Sequence, residues 1–489
     1  MVLSIIPKQY KDAFLKYLKF VGPGIMVSVA YLDPGNYSTG VAGGANYEYK
    51  LLFAVFMSNI FAVILQCLCV KLGSVTGLDL AQNCRKHLPP WLNWTLYFCA
   101  ELAIIATDLA EVVGTAIALE ILFGIPLNWG VALTVLDVVV ILFAYRPESN
   151  SMRNVRGFEI FVSVFVFATV ICFILELFKI DVGDKWHLFE GFLPSKELTE
   201  EKGLYLALGI LGATVMPHSL YLGSSLVQSR LIDYDIKHEN HKSVDQHKPS
   251  LSAINYCLKY SYAELIISLF FIATFVNSAI LIVAGATLYG QPDADDADLM
   301  SIYEMLSKYI SPTAGLIFAL AMLFSGQSAG IIGTMSGQIV SEGFIEWSFK
   351  PWVRRIITRL LAILPCIFVV STMGRKGIAD ILNGSQVCLS LILPFVSAPL
   401  IYFTSVKQYM QVEIDDQQGE NRIIGSIEGS NYGSTETSES TNDPLLNKNT
   451  VDFTNGKWLS FFAILTWATI GFFNIFLIIS FARGKDVHF

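Results

Sequence analysis

Two short stretches of this chain place a helix break beside side chains able to hold a cation. The first reads Ala30-Tyr31-Leu32-Asp33-Pro34-Gly35-Asn36, the second Gly212-Ala213-Thr214-Val215-Met216-Pro217-His218, and each lies inside an apolar run. Proline removes a backbone donor and clashes with the turn before it, and glycine frees its neighbour. The carbonyls of Ala30 and Ala213, just ahead of the breaks, are thereby freed. With the Asp33 carboxylate, the Asn36 amide oxygen and the Met216 thioether, they make a donor set for a divalent cation. Calcium and magnesium gain little from sulfur, whereas iron(II), manganese(II) and heavier ions accept or prefer it. The chemistry on offer is therefore that of a transition-metal site. Two plain kinks, with Asp33 and His218 as satisfied core groups and Met216 as packing, are the competing reading. Matching positions for both breaks argue against it.

A second constellation is acidic. Glu101, Asp108 and Glu111 share one apolar run, and at about 100° per residue all three fall within about 80° of one another. Such a stripe is costly against lipid, so it must face the protein interior, where it reads as a proton or ion path. Arg359, in a later run, is a candidate counter-charge; a static ion-pair network is the alternative. His218 is the only one of the seven histidines inside a span. Beside the second break it reads as a proton carrier. His238, His241 and His247 fall in a polar loop and read as solvated.

The elements that must position these groups are membrane helices. The chain is 53% hydrophobic and 15% charged, with mean hydropathy +0.53, against about 25% charged for a soluble domain. About eleven apolar runs approach the ~20 residues that cross a bilayer. They fall near 20–44, 51–72, 92–121, 126–145, 157–180, 203–230, 257–285, 312–341, 354–373, 378–404 and 457–482. The breaks lie five spans apart. Unwound backbone is tolerated in a membrane only where it lines a cavity, and breaks so spaced are the mark of inverted-repeat transporters. The expected fold is an all-α polytopic membrane protein. Five-helix repeats over 20–180 and 203–404, with discontinuous helices 1 and 6, are followed by a further span in 457–489.

Lysine and arginine in the short loops set the orientation. Lys8, Lys11, Lys16 and Lys19 on the amphipathic segment 1–19, Arg85, Lys86, Arg146, Arg153, Arg156, Arg230, Lys237, Lys242, Lys248 and Lys350 share one side. Asp181, Asp184, Glu190, Asp293, Asp295, Asp296 and Asp298 lie on the other. The N-terminus is expected in the cytosol and the C-terminus across the membrane. No signal-peptide pattern precedes the first apolar run, which is expected to remain as a span. The loop 405–456, polar and low in complexity over 408–455, is expected to be a disordered cytosolic segment. Within it Asp443-Pro444-Leu445-Leu446 looks like an acidic dileucine signal for sorting machinery. The eight scattered cysteines read as small buried hydrophobes. There is no basic patch for nucleic acid, and no nucleophile, phosphate loop or zinc motif that would suggest an enzyme. No cofactor is expected.

Asp33-Pro34-Gly35-Asn36 and Ala213-Thr214-Val215-Met216-Pro217-His218 resemble the two signature motifs of the Nramp family, proton-coupled divalent metal transporters. The glycine-rich stretch Ser325 to Phe344 resembles the family's transport signature, and the likeness covers residues 18–405. The resemblance implies a LeuT-like fold, with Asp33, Asn36, Met216 and the carbonyls of Ala30 and Ala213 holding iron(II) or manganese(II). It also implies that Gln386, in Asn383-Gly384-Ser385-Gln386, completes the site in the inward-closed state. The acidic loop and the long 408–455 loop look most like the fungal vacuolar branch, which implies iron export from vacuole to cytosol. One departure stands out. Many members carry a second histidine where this chain has Gly223. Gly326, Gly330, Gly333 and Gly337 recur every three or four residues and read as a close-packing face.

An amino-acid or amine symporter of the same architecture, or a metal sensor signalling through the long loop, are the alternatives. The charge of Asp33 argues against the first and the acidic stripe against the second. The thioether supplies a test. Met216→Ala leaves an all-oxygen site that no longer disfavours hard ions. Calcium should begin to compete with manganese in an uptake assay, while transport itself falls less. Unchanged competition would mean that sulfur is not the filter.

Overall fold

Helices form along the apolar runs and stop where proline or glycine interrupts them. The architecture is that of a computed structural model, which describes residues 20–134, 152–183, 185–238, 248–291, 299–346, 351–413 and 450–482. The first half comprises α1 (Pro23–Val29), α2 (Pro34–Tyr47), α3 (Leu52–Thr76), α4 (Leu80–His87), α5 (Pro90–Phe123), α6 (Leu127–Leu133) and α7 (Met152–Leu177). A short α8 (Lys185–Glu190) and a 3-10 turn, Lys196–Thr199, lead to the second half. There, α9 (Glu201–Thr214), α10 (Pro217–Leu226), α11 (Gln228–His238) and α12 (Leu251–Ile267) come first. After them follow α13 (Thr274–Leu288), α14 (Leu299–Met305), α15 (Pro312–Ile345) and α16 (Pro351–Ser405). Then α17 (Lys407–Met410), strands β1 (Gln411–Glu413) and β2 (Thr450–Asp452), and α18 (Lys457–Ala482) close the chain.

Among the described residues eight helices are long and apolar enough to cross a membrane. The other three expected spans account for the difference from eleven. The first is split at Asp33-Pro34 into α1 and α2, each too short alone. The fourth runs into 135–151, outside the described residues. The ninth is not a separate helix. Residues 351–405 form one helix of 55 residues, although the sequence suggested an end at Gly374-Arg375-Lys376-Gly377. Arginine and lysine are good helix formers and no proline stands there, so nothing forces the backbone out of helix. Only 377–405 of this helix is itself long and apolar enough to cross.

The discontinuous helices 1 and 6 sit at the centre. Helix α2 packs along α13, α9 packs on α16, and α5 lies between α15 and α16. A Cβ on Gly326 would come 2.6 Å from the Thr115 hydroxyl, so at this glycine α15 packs close against α5, as expected of it. The outward faces are apolar and exposed, as at Phe167 and Ile171 on α7, Phe178 just past its end, and Phe472 and Ile475 on α18. They meet lipid.

The side on which residue 20 begins is here the near side and the opposite one the far side. On the near side, the ends of the long loop are ordered. Strands β1 and β2 pair antiparallel, with Val412 opposite Val451. Lys71 of α3 donates to the Thr454 carbonyl at 3.1 Å and the Asn455 side chain at 3.0 Å. The expected disorder over 405–456 therefore does not extend to its base. Residues 414–449, with Asp443–Leu446, lie outside the described residues.

On the far side, two ionic contacts hold the exit of α2. Lys50 meets Glu197 at 2.5 Å, and its ammonium holds the Glu197 carboxyl down to about 2. His187 meets Glu48 at 3.0 Å and Glu190 at 3.7 Å. Its hydrogen bond to Glu48 raises the imidazole above its usual value. A raised folded-state value means that the contact stabilises fully below about pH 6.5 and is lost as pH climbs through the folded value. Unfolding midpoints of the purified protein should therefore fall between about pH 5.5 and about pH 8.5. His187→Gln should shrink that difference, and an unchanged difference would assign the acid stabilisation elsewhere.

Candidate metal centre

Asp33 is the N-cap of α2. Its carboxylate accepts the backbone N–H groups of Gly35 and Asn36, both at 3.1 Å. Proline at the next position gives up a donor that would have gone unpaired there anyway. The second break repeats the plan with different chemistry: Met216 is the N-cap of α10, with Pro217 after it and no side-chain cap. Asp33, Met216 and Ala213 are fully buried, and Ala30 and Asn36 nearly so.

The two breaks are joined through Asn36. Its amide Nδ2 donates to Asp33 Oδ1 at 2.7 Å and to the Ala213 carbonyl at 2.9 Å. Thr214 donates to Asn36 Oδ1 at 3.3 Å. The amide hydrogens thus bridge a carboxylate oxygen and a freed carbonyl, which is the place a cation shared by those oxygens would take. Rotation of the Asn36 amide would then bring its oxygen round as a further ligand.

Gln386 of α16 closes the site from a third direction. It is fully buried, and its Oε1 has no hydrogen-bond partner among the described residues. A Cβ on Gly35 would lie 2.5 Å from the Gln386 side chain, and one on Gly212 only 1.9 Å from its backbone oxygen. Glycine at both breaks is what lets α16 come so near. A buried acceptor without a donor among the described residues, pressed against the first break, suits an electrophilic guest. All six sequence-predicted ligand residues, Ala30, Asp33, Asn36, Ala213, Met216 and Gln386, therefore lie at the breaks or against them.

The acidic stripe is only partly gathered. Asp108 and Glu111 of α5 are fully buried, whereas Glu101, two turns toward the near side, is half-buried. His218 is buried too, with Nδ1 3.5 Å from Thr107 Oγ1 on the same helix as the stripe. This puts the histidine of the second break one residue from Asp108. Arg359 lies on α16, and its side chain is outside the described residues.

Sequence reading missed a polar network beside the breaks. Gln66 of α3, fully buried, donates through Nε2 to the Tyr31 hydroxyl at 3.0 Å, the Ser219 carbonyl at 3.0 Å and the Ser219 hydroxyl at 2.9 Å. Ser325 donates to the Leu32 carbonyl, satisfying backbone released by the first break. An amide in Ile64-Leu65-Gln66-Cys67-Leu68 was the available signal, because a polar side chain in an apolar span needs an interior partner. Gln66 also explains Gly223. A Cβ there would stand 2.1 Å from Gln66 Oε1.

The profile of the Nramp family, described as natural resistance-associated macrophage protein-like, matches residues 24–416. The chain is 62% identical to the iron transporter SMF3 of Saccharomyces cerevisiae, over 99% of this chain and 100% of that one. It is 49% identical to the manganese transporter SMF1 of the same yeast, over 96% and 86%. Among solved structures, the manganese transporter of Eremococcus coleocola superposes with a TM-score of 0.75 at 30% identity, covering 98% of this chain and 91% of that one. The nucleobase-cation symporter Mhp1, at 13% identity and TM-score 0.51 over 78% of each chain, shares the fold alone.

The Gly223 packing has a measurable consequence. Gly223→His must push Gln66 off Tyr31 and Ser219, at a cost of about 1–3 kcal/mol, read as a lowered unfolding midpoint. Adding Gln66→Ala should recover part of the loss by making room. A fully stable single variant would show that Gln66 moves aside freely.

Proposed function

The chain belongs to the Nramp family, and on that premise we propose that it carries iron(II) or manganese(II), together with protons, into the cytosol. The reading rests first on the Asn36 amide, which spans Asp33 and the Ala213 carbonyl where a cation would sit. Asp33 supplies the one formal charge, Asn36 and the carbonyls of Ala30 and Ala213 supply oxygens, and Met216 supplies the sulfur that favours transition metals. Gln386 completes the shell while α16 is closed over the breaks. The metal is cargo and not a cofactor, and the protein is a transporter, not an enzyme.

Protons pass along Asp108 and Glu111, with Glu101 toward the near side, His218 as the link to the metal site and Arg359 as counter-charge. The near side is cytosolic by its excess of lysine and arginine. The far side, which holds the acidic loops, is the vacuolar lumen. The form of the two loops in the sequence supports that compartment, and Asp443–Leu446 would direct delivery there.

One experiment tests the two halves of the reading together. In proteoliposomes with an imposed pH gradient, metal uptake and internal acidification are followed side by side. Asp33→Ala should cut uptake by more than about tenfold, since even residues behind a metal's direct ligands cost 10–100-fold. Asp108→Asn keeps size and removes titration, so metal should still move with much reduced proton flux. Near-normal uptake by the first variant would remove Asp33 from the site. Full proton flux in the second would leave Asp108 as a static ion partner.

A further inference from the structure

We propose that Cys172 and Glu176 of α7 form a second, weaker station for a soft divalent cation, between the far side and the Asp33 site. The two residues are four apart and share one helix face. Glu176 is fully buried, and neither of its carboxylate oxygens has a hydrogen-bond partner among the described residues. A buried carboxylate without donors costs several kcal/mol unless something positive meets it. Lys179, one turn on, is near enough for its charge to act on Glu176, but its ammonium donates to Thr313 in an exposed contact and gives the buried oxygens no hydrogen bond.

The position fits a metal on its way to Asp33. Phe173, one turn from Glu176, packs on Tyr37 with ring centroids 5.5 Å apart, and Tyr37 also meets Phe318 at 5.9 Å. Tyr37 is one turn past Asp33 on α2, so these three rings roof the metal centre. Glu176 lies about 4.5 Å farther along α7 than Phe173. The direction is toward the far side, where Tyr49 donates to the Val182 carbonyl. Cys172 is within electrostatic reach of both Glu176 and Tyr37, and the buried Tyr37 hydroxyl lies beside the Ser325 hydroxyl. A carboxylate, a thiol and a phenol oxygen would favour ions that accept sulfur, as at Met216. A cation held there waits one ring layer from Asp33.

The inference rests on metal entry from the far side, and its test is arranged to fail separately from that reading. Cadmium is titrated into the purified full-length protein by calorimetry. Asp33→Ala should remove the tighter event, which examines the central site alone, and leave a weaker one. Adding Cys172→Ser or Glu176→Gln to that variant should weaken the residual binding by about tenfold or more, and the serine should abolish the cadmium–thiolate absorption band. In vesicles, Glu176→Gln alone should raise the KM for manganese offered from the far side with kcat little changed, and Glu176→Asp should recover part of it. The milder Cys172→Ser covers the case in which Glu176→Gln does not fold. No residual cadmium binding in Asp33→Ala, or residual binding that both second substitutions leave unchanged, would overturn the proposal. A manganese KM that stays put while proton flux falls would instead make Glu176 a proton station.

Discussion

A carboxylate halfway across a membrane needs hydrogen-bond donors that lipid does not have, and the rest of this structure is arranged around supplying them to Asp33. The break that exposes the problem also provides the answer. Pro34 ends one helix and starts another, and the new helix begins with N–H groups that have no partner within it. Two of them turn to the Asp33 carboxylate. The positive end of α2 adds a favourable field for a negative charge. The same break frees the Leu32 carbonyl, and Ser325 of α15 satisfies it. Without these donors an ionised Asp33 would be too costly to bury, and there would be no charged ligand to offer a cation.

Holding such a site dry demands that neighbouring helices come very near, and this fixes residue types that have no chemistry of their own. Glycine at 35 and 212 lets Gln386 and its backbone press against both breaks. Glycine at 223 leaves the space that Gln66 fills while it binds Tyr31 and Ser219. Glycine at this position thus has a packing explanation. The site has one formal charge, one soft donor and several neutral oxygens, and each comes from a helix end or a helix that abuts one.

The two ends of the broken first span are tied by contacts of different kinds. On the far side, α2 ends at Glu48 and Lys50, which meet His187 and Glu197. One of these contacts strengthens in acid and the other is indifferent to mild acid. On the near side, Glu264 accepts the backbone N–H groups of Gly22, Gly24 and Ile25 at the start of α1. Beside it, Glu159 and Arg230 pair at 2.6 Å in a buried contact. These contacts anchor the start of α1, so moving α1 would first require releasing the Glu264 carboxylate.

Residue types and spacing were enough to place the two breaks and the buried pair Asp108 and Glu111. Proline in an apolar run, or aspartate beside it, has so few tolerable explanations in a bilayer that local chemistry points straight to a cavity. Gln386 needed the family resemblance, because a glutamine in a helix carries no local sign of what it faces. The contact through Asn36 between breaks some 180 residues apart was not legible, since amide orientation depends on which acceptors the fold brings near. The network of Gln66, Tyr31 and Ser219 was equally hidden, and so was the burial of the Glu176 carboxylate away from hydrogen-bond donors among the described residues. The unbroken course of α16 through Gly374-Arg375-Lys376-Gly377 was misjudged for a related reason: glycine and charge permit a helix end without compelling one. The sequence by itself determined where the backbone must open and which donors stand at the openings, because those follow from covalent geometry and the absence of water in lipid. Only the tertiary structure decided which of those donors face one another, because that depends on helix packing distances set by residues far apart in the chain.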